Sequence, residues 1–252
     1  MDQLINSYAK QLRLPYISQN IENHLEQARI QNKSYEEFLI ELLQYELALR
    51  QQNGVKARIR AAKFPYQKTL EELDINSLPE GAQEQFQQLR SLSFIENKQN
   101  LILAGNPGTG KSHIGIGLGI KACMEGYHVY FAHVPNLITE LKEAKNERTL
   151  QRLKKKFEKY DLIVLDEMGY ISFDKEGAEL LFNFISLRAE KTSTIITTNL
   201  SFDRWNEIFH DPVITAAMVD RITYRSYVIN MNGNSYRIKE TREFIANSRE
   251  DK

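Results

Sequence analysis

The chain has 252 residues, 42% of them hydrophobic, and its 33 basic residues balance 33 acidic ones for a formal net charge of zero. That length and apolar content suffice for a substantial core, as one large domain or one domain with an appendage, while the even charge excludes a polyanion partner held by overall charge alone. A lone cysteine, Cys123, excludes a disulfide framework and fits a small buried apolar residue in a reducing compartment; the opening MDQLINSYAKQLRLP lacks a basic start ahead of an apolar signal core, and no run approaches the roughly 20 apolar residues of a membrane span, so a cytoplasmic location is expected.

In chain order, Leu4, Tyr8 and Leu12 recur every fourth residue, Pro15 interrupts, and Ile17, Ile21 and Leu25 resume the spacing, which predicts helices on either side of the proline. Ser34 and Glu37 have capping-box spacing ahead of the apolar positions Phe38, Leu42, Tyr45 and Leu49, and Asn53-Gly54 reads as the end of that helix. From Leu47 to Leu70 there is no acidic residue, while Arg50, Lys56, Arg58, Arg60, Lys63 and Lys68 all fall there and Phe64-Pro65 closes the run. The expected division is a small all-α N-terminal domain with a basic joint over 1–62, a linker with helices leading into the core over 63–98, and the core domain itself over 99–252.

From about residue 99, short apolar runs alternate with amphipathic helices, the pattern of an α/β fold with a parallel sheet covered on both faces. Five strands are predicted: LILA at 101–104, VYFAHV at 129–134, LIVLD at 162–166, TIITT at 194–198 and YVINM at 227–231. Between the first strand and the next helix lies Gly105-Asn106-Pro107-Gly108-Thr109-Gly110-Lys111-Ser112, which fits G-x-x-x-x-G-K-[ST] in the context that motif requires. Its glycines let successive N–H groups turn inward onto a polyphosphate, and the positive end of the following helix adds to the attraction. Gly105 through Ser112, with the adjoining His113, are therefore the candidate nucleotide contacts. Lys111 is expected to neutralise the β and γ phosphates of ATP, and the Ser112 hydroxyl to ligate Mg²⁺.

Asp161-Leu-Ile-Val-Leu-Asp166-Glu167 is an apolar strand ending in two adjacent carboxylates, at the edge where ligands of open α/β sheets bind. Asp166 is the candidate for the Mg²⁺ shell, and Glu167 for the group that orients and polarises a water for attack on the γ-phosphate. That pairing favours hydrolysis over a small-molecule kinase, whose nucleophile is a substrate hydroxyl. Thr194-Ile-Ile-Thr-Thr-Asn199 ends in an amide that either senses the γ-phosphate or attacking water, or simply terminates the strand.

GNPGTGKS, LIVLDE and TIITTN, followed by Asp220-Arg221, resemble the AAA+ ATPases of the DnaA and DnaC type, and ARIRAAKFP, LDEMGYISF, TTNLSFDRWNEIF and NSYRIKE resemble the IstB-like helper ATPases of insertion sequences over nearly the whole chain. The resemblance implies a P-loop core whose ATP sites lie at subunit boundaries, with Arg221 reaching a neighbour's γ-phosphate, although Arg221 could instead cap the helix predicted over 213–221. Only sixteen residues follow Tyr236, so no full helical lid is expected, and neither Arg237 nor Arg242 is assigned as a second sensor. Asp211-Pro212 is a strong start for the helix that carries Arg221.

Between Asn136 and Tyr160, two helices are predicted, with Lys142, Lys145, Arg148, Arg152, Lys154, Lys155, Lys156 and Lys159 against four glutamates. This stretch could track DNA phosphates or be a solvated helix face, and Arg50, Lys56, Arg58, Arg60 and Lys63 of the basic joint form the other candidate. Neither interleaves enough aromatics for a single-strand stacking platform, so duplex DNA is the expected polymer. What the resemblance implies is an ATPase that oligomerises on double-stranded DNA and assists a cognate transposase, with a replicative helicase loader as the alternative. The N-terminal helices would serve self-association or partner docking.

Overall fold

The computed structural model describes residues 2–250 and divides into two compact units, Met1–Ala57 and Arg58–Lys252. The first holds helices α1 (Asp2–Gln11) and α2 (Pro15–Ile30) and most of α3 (Tyr35–Ala62). Pro15 occupies the first position of α2, where its missing N–H costs nothing, and the buried Glu46 carboxylate accepts the Ile17 N–H at 3.0 Å, satisfying a first-turn donor that Leu14 cannot cap. The capping box forms reciprocally: Ser34 N–H donates to Glu37 Oε2 at 2.9 Å and Glu37 N–H to Ser34 Oγ at 3.2 Å. The core of this unit is small, built on Ala9, Ile17, Ile21 and Leu42 with Ile5, Leu14, Leu25 and Phe38 against it.

The expected stop at Asn53-Gly54 does not occur, and α3 continues to Ala62. A glycine inside a helix costs only about 1 kcal/mol, and good helix formers follow it; the turn out of the helix comes at Lys63, which has φ of 62°, just before Phe64-Pro65. Most of the basic run therefore belongs to a helix and not to a joint.

The second unit contains, in order, α4 (Glu80–Leu89), α5 (Ser93–Glu96), β1 (Asn100–Ala104), α6 (Lys111–Met124), β2 (Val129–His133), α7 (Val134–Asn146), α8 (Leu150–Phe157), β3 (Leu162–Met168), α9 (Lys175–Arg188), β4 (Ser193–Thr198), α10 (Asn206–Phe209), α11 (Pro212–Thr223), β5 (Ser226–Asn230) and α12 (Tyr236–Glu250). All ladders are parallel and the strand order is β2-β3-β4-β1-β5. Alternate strand residues feed opposite faces: Leu101, Leu103 and Val164 join the core under α4, α5 and α6, whereas Ile102, Ile163 and Leu165 join the core under α7 to α11. Burial on both sides explains why these strands read as unbroken apolar runs.

Residues 63–98 are part of this body and not a spacer before it: Leu70, Leu78, Ala82, Phe86, Leu89, Leu92, Phe94 and Ile95 are buried in the first of those cores. The boundaries expected at 62/63 and 98/99 give way to a single division at Ala57/Arg58. Asp211 caps α11 as its sequence suggested, accepting the Val213 and Ile214 N–H groups at 2.9 and 3.0 Å. After β5 a single helix, α12, follows among the described residues. No described helix is long and apolar enough to cross a membrane.

Candidate functional site

Because β1 lies between β4 and β5, the loop that leaves it emerges among the C-terminal ends of β3, β4 and β5. Gly105 N–H donates to Thr198 O at 3.1 Å, and Met231 N–H to Ala104 O at 2.7 Å. A Cβ on Gly105 would stand 2.2 Å from the Met231 carbonyl carbon, so only glycine admits this close backbone approach. Gly108, with φ of 79°, is similarly pressed by Ser235, and its carbonyl accepts the Tyr236 N–H at 2.9 Å. Asn106 Nδ2 donates to Gly233 O at 3.3 Å, and Thr109 Oγ1 to Asn106 O at 2.9 Å. The stretch from 231 to 236 thus wraps the loop and delivers the start of α12 beside it.

Lys111, only 7% exposed, donates its ammonium to Gly105 O at 2.7 Å and Asn106 O at 2.6 Å. Burial pushes its pKa down to about 8, with the Asp166 charge opposing that fall and the Arg237 charge adding to it. At neutral pH it is a caged cation at the mouth of α6.

Ser112, at the next position, donates to Asp166 Oδ1 at 2.8 Å, and Thr197 Oγ1 donates to the same oxygen at 2.6 Å. Asp166 is 2% exposed, whereas Glu167 projects into the open with a backbone φ of 64°. A hydroxyl beside a buried carboxylate is a hard-oxygen donor pair of the kind that holds Mg²⁺ when phosphates and waters complete the shell, so the residues fit that ion. His133 joins them: its Nδ1 is buried without a hydrogen bond among the described residues, 3.7 Å from Asp166 Oδ2 and 3.6 Å from Glu167 Oε2. No local motif marks His133; its signal is register, since it pairs with Asp166 across the β2–β3 ladder.

Lys111, Ser112 and Glu167 line a cleft of about 570 Å³, well within the range of small-ligand sites. Pro107 through His113, Glu167, Thr197 and Asn199 face it. Tyr66, Lys68, residues of the segment from Glu72 to Leu78, Tyr170, Tyr236, Arg237 and Glu240 line it as well. His113 ties the start of α6 to the segment before α4, its Nε2 lying 2.7 Å from Thr69 O. The Tyr66 hydroxyl is pushed above its ordinary pKa, first by burial and then by the Asp166 charge, against a lowering from Arg237. Arg237, unassigned on spacing alone, is thus brought to the cleft by the wrap of 231–236.

Arg221 does not line this cleft. It is exposed on α11, where its guanidinium sits 4.4 Å from the Phe182 ring centroid and donates to Ser186 Oγ at 2.8 Å, so it packs on α9 and does not cap its own helix.

The basic candidates divide. Lys142 pairs with Asp174 at 2.7 Å and Lys145 with Glu176 at 2.6 Å; Arg58 donates to Cys123 O at 2.8 Å, Arg50 to Arg13 O at 3.2 Å, and Lys63 lies 5.6 Å over Tyr130. Of these, Lys142 and Lys145 have their charge matched by a carboxylate, whereas Arg50, Arg58 and Lys63 are tethered but keep theirs unpaired among the described residues. Among the described residues Lys56, Arg60, Arg148, Arg152, Lys154 and Lys155 form no ion pair. On α8 the apolar Leu150, Leu153 and Phe157 turn to the core, leaving Arg152 and Lys155 on the outer face, while Lys156 pairs with Glu140 at 3.7 Å and lies 5.7 Å over the Tyr130 ring.

The family profile of the IstB-like ATP binding proteins matches residues 7–244. A protein of insertion sequence IS5376 from Geobacillus stearothermophilus, named for ATP binding, is 36% identical over 242 residues, covering 96% of this chain and 96% of its own. One of insertion sequence IS21 from Pseudomonas aeruginosa, named likewise, is 38% identical over 232 residues, covering 92% of this chain and 88% of its own. Among solved structures, AMPPCP-bound DnaA from Aquifex aeolicus matches 73% of this chain and 56% of its own with a TM-score of 0.56 at 17% identity, a likeness of fold.

Proposed function

The chain belongs to the IstB-like ATP-binding proteins and has the AAA+ fold, and on that footing we propose that it is an ATPase that assembles on duplex DNA and assists the transposase of its insertion sequence. The observation that carries the reading is the meeting of Lys111, Ser112, Asp166, Glu167 and Asn199 at the C-terminal ends of three neighbouring strands, around one cleft.

Lys111 exchanges its loop carbonyls for the β and γ phosphates of ATP, and the loop N–H groups hold the rest of the chain of phosphates. Mg²⁺, held by Ser112 with Asp166 behind it, supplies further charge neutralisation at those phosphates when bound. Glu167 accepts a proton from a water aligned by Asn199 as the water oxygen bonds to the γ-phosphorus; the bond from that phosphorus to the bridging oxygen breaks, and ADP leaves with the electron pair. Arg221, exposed on α11, leaves Phe182 and Ser186 on assembly to meet the γ-phosphate of a neighbouring protomer. The outer face of α8 tracks DNA phosphates without reading bases.

Electron microscopy with duplex DNA and either ATP or ADP tests the whole reading. ATP should give ordered oligomers on DNA and ADP should not. Identical particles in both nucleotides would remove the link between cleavage and assembly. Glu167→Gln should retain ATP and remain on DNA; normal turnover by that variant would remove Glu167 as the proton acceptor.

A further inference from the structure

The ladder between β3 and β4 is interrupted at one place. Leu165 pairs with Ile196 and Met168 with Thr198, so Asp166 and Glu167 together oppose the single residue Thr197. This two-against-one count is a β-bulge, uncommon between parallel strands. It coincides with the left-handed φ of Glu167, a conformation that glutamate adopts only when its surroundings hold it there.

Thr197 is 2% exposed on a strand buried along its whole length, where an unpaired hydroxyl would be costly. Both its capacities are used. Its O–H donates to Asp166 Oδ1 at 2.6 Å and its oxygen accepts the Glu167 N–H at 3.0 Å. One hydroxyl therefore bridges the bulge and sets both acidic residues at once: it helps fix the carboxylate that Ser112 also bonds, and it anchors the strained backbone from which the Glu167 side chain enters the cleft. The methyl group of Thr197 faces Gly115 on α6.

We infer that Thr197 is a positioning residue for ATP hydrolysis, acting through the bulge to hold Glu167 where it can take a proton from the attacking water. The inference rests on the hydrolytic reading of the cleft. Thr197 touches neither water nor phosphate in this role; it decides where Glu167 points.

Two substitutions separate its hydroxyl from its shape. Thr197→Val keeps the methyl packing and removes both hydrogen bonds; Thr197→Ser keeps both bonds and removes the methyl. With the full-length protein, Thr197→Val should lower kcat by about tenfold or more, since small misplacement of a catalytic group costs that much, while ATP affinity by equilibrium titration stays within about threefold. Thr197→Ser should restore most of kcat even where its melting temperature falls below that of Thr197→Val. In a Glu167→Gln background, Thr197→Val should change the residual rate little, because the group it positions is already disabled. A serine variant slower than the valine variant, or a valine effect that persists undiminished beside Glu167→Gln, overturns the assignment. An active wild type with an equally active Thr197→Val overturns this inference alone, whereas a wild type that hydrolyses no ATP overturns the reading beneath it.

Discussion

Arg188 offers a quantitative test of how the core holds α8. It is 4% exposed, and its guanidinium donates to Phe157 O at 2.9 Å and to Tyr160 O and Ser193 O at 3.2 Å each. It thereby joins the end of α8, the turn before β3 and the start of β4. Burial pushes its pKa from 12.5 down to about 10, with the Asp161 charge opposing, a fall that corresponds to roughly 3 kcal/mol of desolvation cost. In Arg188→Met that cost disappears, but three carbonyls lose their donor at about 1.5 kcal/mol apiece, a loss near 4 to 5 kcal/mol. The net expectation is a destabilisation of about 1 to 2 kcal/mol, or roughly 3 to 6 °C in melting temperature for a body of this size. Arg188→Lys should be worse than methionine, because it keeps a buried charge and cannot reach three carbonyls from one ammonium. Thermal and urea unfolding followed by circular dichroism would measure both. A lysine variant as stable as the wild type, or more stable than the methionine variant, would refute this accounting.

Three further outcomes are expected. Because burial holds the Lys111 pKa at about 8, below the ordinary lysine value, the charged form is disfavoured in the empty cleft and favoured once phosphates arrive; binding then takes up a proton above pH 8, and ATP affinity measured by calorimetry should fall about tenfold between pH 7 and pH 9. The same linkage makes Lys111 a stability cost in the free protein that is fully present below pH 8 and relieved as pH rises toward the unfolded value; flat affinity across that window would contradict it. Gly105→Ala forces a Cβ against the Met231 backbone and should abolish ATP binding, whereas Gly126→Ala, at φ of 101° with nothing within 4 Å, should cost only about 1 kcal/mol in a melting curve. Removing Arg152 and Lys155 together should weaken duplex binding and reduce the slope of log affinity against log salt by up to about 1.8, while Lys142→Ala, whose ammonium is already paired with Asp174, should leave that slope unchanged.

Much of the site was legible from residue order. The phosphate loop, the adjacent Asp166 and Glu167, Asn199 and the caps at Ser34 and Asp211 are all local arrangements, in which the groups that act together lie within a few residues of one another. The five predicted strands fall within one residue of the observed starts and two of the observed ends; β1 to β3 are buried on both faces and so read as continuous apolar runs, whereas the edge strand β5 is only partly buried. The stop wrongly expected at Gly54 shows the limit of local punctuation, since a glycine ends a helix only where the chain also turns.

The partners of side chains far apart in sequence had no such signature. Whether Lys142 and Lys145 are paired depended on α9 and its cap bringing Glu176 and Asp174 alongside, and the partner of Arg58 on where α6 places the Cys123 carbonyl. Thr197 and His133 acquired meaning only through the pairing of β4 and β2 with β3, and Tyr66 and Arg237 reached the cleft from opposite ends of the second unit. Residue order could specify the chemical groups and the periodicities that form strands and helices, because those are properties of short segments. Which charges are neutralised, and which hydroxyl bonds both Asp166 and the Glu167 backbone, followed from strand order and close packing, because Coulombic and hydrogen-bond contacts depend on distance in space and not along the chain.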